Sequence, residues 1–116
     1  MDIIKMTQAH TKQVAALESA CFSMPWSENA ITSELNNPLS LWLVAVDGGT
    51  VVGYVGSQSV MGEADMMNIA VYSDHRRKGI AKSLVLALID QLSQNEVHSL
   101  TLEVRASNFA AIQLYE

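Results

Sequence analysis

Cysteine is almost absent: Cys21 stands alone in 116 residues. It can form no internal disulfide and no thiolate metal cluster, which fits a reducing compartment. His10, His75 and His98 have no ligand spacing among themselves or to Cys21, so no metal is expected. Basic residues are scarce as well, seven Lys and Arg against twelve Asp and Glu, for a formal charge of −5. Affinity for nucleic acid comes largely from neutralised phosphates, so an acidic chain suits a cationic partner better. No apolar run approaches the roughly 18 residues of a membrane span, and the start, Met1-Asp2-Ile3-Ile4-Lys5, lacks the apolar core of a secretion signal. The expectation is a cytoplasmic protein that engages neither membrane nor nucleic acid. There are only two prolines and no low-complexity tract, internal repeat or linker. What is present suits a core: 49% of residues are hydrophobic and 16% charged. A chain of this length makes one domain and buries roughly two-thirds of its unfolded surface.

Periodicity and turn residues predict the order β-α-α-β-β-β-α-β-α. Residues 1–6 read as a strand. Thr7 could cap a helix running to residue 22, with Val14, Leu17 and Ala20 or Cys21 on one face. Ser23-Met24-Pro25-Trp26 breaks it, Ser27 caps a second helix with Glu28 in its first turn, and Asn36-Asn37-Pro38 ends that one. Residues 41–46 and 51–59 read as strands joined by Asp47-Gly48-Gly49, a hairpin turn. Residues 64–71 are a further strand. Ile80, Leu84, Val85, Leu88, Ile89 and Leu92 fall on one helical stripe that ends near Gln94-Asn95. Residues 97–105 alternate, with Leu100, Leu102 and Val104 opposed to Thr101, Glu103 and Arg105, and Ser107 caps a last helix holding Asn108, Ile112 and Tyr115.

Between the strand at 64–71 and the striped helix lies His75-Arg76-Arg77-Lys78-Gly79-Ile80-Ala81-Lys82, a concentration of cations in an acidic chain. Its position decides much of its meaning. A helix start presents unpaired N–H groups and a partial positive charge, and so receives anions. Gly79 lets a ligand approach the backbone, and small Ala81 keeps the first turn uncrowded. Arg76, Arg77 and Lys78 would add charge for a pyrophosphate. From composition alone, a solvated basic loop fits as well as an anion cradle. Two familiar phosphate loops are excluded: there is no G-x-G-x-x-G, and Gly48 and Gly53 are followed by Tyr54 where a P-loop needs lysine. Gly53-Tyr54-Val55-Gly56 has the spacing of a nucleic-acid clamp, but it lies in a strand pattern without basic residues.

Arg76-x-x-Gly79-x-Ala81 resembles the Q/R-x-x-G-x-G/A signature of the GCN5-related N-acetyltransferases. "MNIAVYSDHRRKGIAKSL" is similar to that family's strand-loop-helix core, and "LEVRASNFAAIQLYE" to its next strand and helix. "FSMPWS" resembles the segment between the first two helices of the bacterial ribosomal-protein-alanine N-acetyltransferases, to which the second match also points. The resemblance covers the whole chain. It implies an α/β (α+β) fold with a mixed, mostly antiparallel central sheet flanked by helices, in keeping with the order of elements read above. It implies that Arg76, Arg77, Lys78, Gly79, Ile80, Ala81 and Lys82 wrap the pyrophosphate of acetyl-coenzyme A. Ile69, Ala70 and Val71 would offer backbone groups beside the thioester, and Asn108 a hydrogen bond to the pantetheine. The activity implied is acetyl transfer to the N-terminal α-amine of a ribosomal protein, with alanine first.

Direct attack of an amine on a thioester needs a base for the ammonium proton, donors for the oxyanion and an acid for the departing thiolate. Glu103 sits on the polar side of an apolar strand, where a partly dry cleft would raise a carboxylate's pKa towards the working range. A solvated strand residue, or a partner for Arg105, fits that spacing too; the resemblance implies the base. Tyr115 lies seven residues after Asn108, two helical turns along one face. Spacing leaves it either a half-buried core residue or a proton donor, and the resemblance implies the general acid. Trp26 could line the acceptor groove or staple the helix junction. Met61, Met66 and Met67 fit packing or a pliable wall, and Cys21 a small core residue.

The family pattern continues past the tyrosine helix with a K/R-x-x-G-F turn and two more strands, whereas the sequence stops at Glu116. The expectation is therefore a single N-acetyltransferase domain over residues 1–116 that lacks those C-terminal strands. Acetylation of a lysine or small amine remains open, as does a non-catalytic module that binds coenzyme A.

Overall fold

The computed structural model describes residues 1–75 and 78–94, and the backbone of residues 99–102. Among the described residues, five strands form one sheet in the order β1-β2-β3-β4-β5. They are β1 (Asp2–Lys5), β2 (Ser40–Asp47), β3 (Thr50–Val60), β4 (Glu63–Val71) and β5 (Ser99–Leu102). The first four pair antiparallel, and β5 pairs parallel to β4. A parallel neighbour requires a crossover, and α3 (Ile80–Gln94) supplies it. Helices α1 (Thr11–Cys21) and α2 (Glu28–Glu34) lie between β1 and β2 in the chain. The expected mixed, mostly antiparallel sheet with flanking helices is the fold observed.

The sheet separates two apolar layers. Beneath α3, the side chains of Leu84 and Leu88 pack with Leu43, Val55, Met66 and Ile69. On the other face, Val14 and Leu17 of α1 and Ile31 of α2 pack with Trp42, Val44, Tyr54 and Ala70. Gly48 and Gly49 both have positive φ, 59° and 84°, as the predicted two-residue hairpin turn requires. Ser27 Oγ accepts the Ala30 N–H at 3.1 Å, capping α2 as read.

Three local expectations are corrected. Thr7 does not cap α1: its Oγ1 accepts the Ala9 N–H at 3.3 Å, closing a turn, and the helix starts four residues later at Thr11. Ile89, assigned to the buried stripe of α3, is 46% exposed, while Ala81 takes the inward position at 1%. Met61 is neither packing nor wall; it is 97% exposed at the tip of the β3–β4 hairpin, with φ of 52°. The clamp-like glycines have structural reasons in β3. Gly53 faces the Ala70 carbonyl and Leu84, and Gly56 faces the ring of Trp42.

β4 carries an irregularity that no sequence signal announced. Gly56 pairs with Asn68 and Ser57 with Met66, leaving Met67 as an extra residue. Before it, Ala64 and Met66 face α3; after it, Ile69 and Val71 do. The bulge shifts the alternation by one residue and turns Asn68 and Ala70 towards α1.

Candidate active site

The glycine turn is built by the end of β4 and the start of α3. Past Val71, the Tyr72 N–H donates to the Val52 carbonyl at 3.0 Å, and a single 3₁₀ turn, Ser73–His75, redirects the chain. Gly79 then takes φ of 76°, a left-handed conformation open to glycine at little cost. The first ladder bond of α3 runs from the Ser83 N–H to the Gly79 carbonyl at 2.9 Å, so the N–H groups of the first turn precede the ladder. A Cβ added at Gly79 would meet no atom of the described residues within 4 Å; the backbone here is open to an approaching group, and a side chain would fill that space. Lys78 and Lys82 are exposed beside it, while Ile80 and Ala81 are buried and offer only their backbone. A donor-rich, positively polarised turn flanked by two lysines fits an anion such as a pyrophosphate.

Ile69, Ala70 and Val71 lie past the bulge, with exposures of 0%, 0% and 4%. Their side chains are core, Ile69 and Val71 under α3 and Ala70 under α1. On the other side of the bulge, Glu63 to Met66 pair with Ser99 to Leu102 of β5. The chain thus brings Ile69–Val71 and Lys78–Lys82 to the two sides of one turn. Arg76, Arg77, Glu103, Asn108 and Tyr115 lie outside the described residues, as does the helix expected after Ser107.

A constellation on the opposite face was missed. Glu18 is fully buried in α1. One carboxylate oxygen accepts the Trp26 N–H at 2.9 Å; the other accepts Asn68 Nδ2 at 2.6 Å and the Tyr54 hydroxyl. The sequence carries a signal for it: Glu18 is four residues after Val14 and next to Leu17, on the apolar stripe, whereas Ala20, expected on that stripe, is exposed. Trp26 tilts at 58° against Trp42 with centroids 5.5 Å apart, and Trp42 stacks on Tyr54 at 5.4 Å and 5°. Cys21, half-buried beside this layer, donates through Sγ to the Val71 carbonyl at 3.8 Å. Among the described residues, no three His, Cys, Asp or Glu side chains converge as a metal site, and no helix is long and apolar enough to cross a membrane.

The sequence profile of the acetyltransferase (GNAT) family matches residues 11–116. The chain belongs to that family. The [ribosomal protein bS18]-alanine N-acetyltransferase of Escherichia coli K12 is 39% identical over 100 residues, 86% of this chain and 67% of the relative. The enzyme of the same name from Haemophilus influenzae is 32% identical over 117 residues, all of this chain and 79% of the relative. Among solved structures, the Escherichia coli ribosomal-protein-S18-alanine N-acetyltransferase superposes with a TM-score of 0.85 at 34% identity, covering 98% of this chain and 73% of its own. A Thermoplasma acidophilum N-acetyltransferase crystallised with coenzyme A shares the fold, with a TM-score of 0.87 at 16% identity over 98% of this chain and 85% of its own. As a GNAT member, the chain is an acetyltransferase.

Proposed function

We propose that this acetyltransferase moves the acetyl group of acetyl-coenzyme A to the N-terminal α-amine of a ribosomal protein that begins with alanine. The observation that carries the acceptor is the 39% identity to a relative named for that reaction. The donor is supported by the open, positively polarised turn at Gly79, where Lys78, Lys82 and, by the family pattern, Arg76 and Arg77 would hold the pyrophosphate. Ile69, Ala70 and Val71 would offer backbone groups to the thioester arm, and Asn108 a hydrogen bond to the pantetheine.

Glu103 takes the proton of the acceptor ammonium, directly or through one water, so that the nitrogen lone pair is free to attack. A C–N bond forms to the acetyl carbon as the C–S bond breaks; Tyr115 gives its hydroxyl proton to the departing sulfur, and the second proton that the nitrogen sheds on becoming an amide restores the phenol. No enzyme nucleophile takes part, which leaves Cys21 to packing. The acidic surface favours encounter with a cationic ribosomal protein.

The test is coenzyme A release with three peptides: one with a free N-terminal alanine, the same peptide N-acetylated, and one whose only free amine is a lysine side chain. Release with the first alone is the expected result. Release with the lysine peptide and not the first would overturn the acceptor while leaving acetyl transfer intact.

A further inference from the structure

We infer that Glu18 is a positioning residue for the acceptor, its buried carboxylate holding residues 22–27 over β4 in the pose that receives the incoming amine. The inference rests on the proposed reaction only in naming that amine as a peptide N-terminus.

A carboxylate with no exposure is a costly choice where leucine would pack, and it persists only with hydrogen bonds around it. Glu18 divides its two oxygens between parts of the molecule that could otherwise move apart. One holds the Trp26 N–H at 2.9 Å, in the connection between α1 and α2. The other holds Asn68 Nδ2 at 2.6 Å and the Tyr54 hydroxyl, in the sheet. The orientation of the Asn68 amide follows from chemistry, since only its NH₂ end can sit beside a carboxylate.

The place of this bracket gives it a role. Asn68 is the first residue after the β4 bulge, on the part of the strand that leads into the Gly79 turn. The Cys21–Val71 contact puts the start of the 22–27 segment at the same strand end as the Gly79 turn, but on the opposite face of the sheet from α3. A donor held at the start of α3 reaches this strand end from one face. An amine attacking it must come from the other, and the surface there is residues 22–27, with Met24 83% exposed and Trp26 half-buried. Trp26 is fixed through its side chain by Trp42 and through its backbone by Glu18.

Two substitutions separate positioning from mere stability. Glu18→Gln keeps the shape but one acceptor oxygen, so it can serve the segment or the sheet and not both. Tyr54→Phe removes a sheet donor and leaves the Trp26 bond. With the alanine peptide, Glu18→Gln should raise the peptide KM by about tenfold or more while the acetyl-coenzyme A KM changes by less than about twofold. Tyr54→Phe should lower the melting temperature without moving the peptide KM. Unchanged peptide KM in folded Glu18→Gln, or an equal rise in both variants, overturns the inference. Should Glu18→Gln not fold, wild-type NMR decides: the Trp26 backbone amide should exchange slowly, and its resonance should shift on adding peptide. A fast-exchanging amide, or a resonance indifferent to peptide, overturns it too. If wild type acetylates a different amine, the acceptor proposal fails alone, and the same KM comparison is made with that amine.

Discussion

Trp42 and Gly56 are paired across β2 and β3, and a Cβ added to Gly56 would lie 2.6 Å from Cε2 of the indole. The ring cannot step aside: it is 4% exposed and stacked on Tyr54. Gly56→Ala should therefore destabilise the fold by about 1–3 kcal/mol, as overpacking does. In a domain near this size each kcal/mol lowers the melting temperature by roughly 4–8 °C. A thermal melt at the wild-type midpoint would show that another residue had yielded in place of the ring.

Gly79→Ala should act differently, because space is open there and only the backbone objects. A φ of 76° costs a side-chain-bearing residue about 1–2 kcal/mol. The added methyl would also occupy the side from which an anion approaches. Calorimetry should show weaker acetyl-coenzyme A binding, with the peptide KM unchanged at saturating donor. Wild-type binding by this variant would move the pyrophosphate elsewhere.

Ser27→Ala removes the acceptor for the Ala30 N–H and should cost about 0.5–2 kcal/mol in urea unfolding. Ser27→Asp, which can accept the same bond and suits the helix dipole, should restore most of that loss. No difference between the two would mean that α2 is held by packing of Ile31 alone.

Glu103→Gln and Tyr115→Phe should each lower the single-turnover rate by about 100- to 10,000-fold while leaving acetyl-coenzyme A affinity in place. Rates near wild type in either variant would remove that residue from the chemistry. A matching loss of affinity would instead mark it as a binding group.

Much of this architecture can be read from residue pattern. Asp47-Gly48-Gly49 announces its hairpin because two successive positive φ angles have few other tenants, and Ser27 followed by Glu28 announces α2. The glycine turn was legible because Arg76, Lys78 and Gly79 stand between a strand and a helix. The errors have physical causes. Thr7 has the chemistry of a cap, but its hydroxyl bonds within a turn closed by His10, whose Nδ1 accepts the Thr7 N–H at 3.0 Å. Ile89 lies on the edge of its stripe, and periodicity alone cannot tell an edge from a centre. Glu18 as a residue type gives no sign of burial, because charge is expected outside, and only its donors make its burial intelligible. The bulge at Met67 had no glycine to mark it.

That bulge makes β4 a strand of two parities. Up to Met66 one set of residues faces α3; from Asn68 onward the other set does. Met67 is therefore the residue that β4 could lose. Without it Met66 and Asn68 would become ordinary neighbours opposite Ser57 and Gly56, Asn68 still turned to the α1 face and Ile69 and Val71 still under α3. Loss of a residue elsewhere in the strand, with the bulge kept, would instead exchange the two faces from that point on. The strand thus tolerates a change of length at one position and is strict about it at the others.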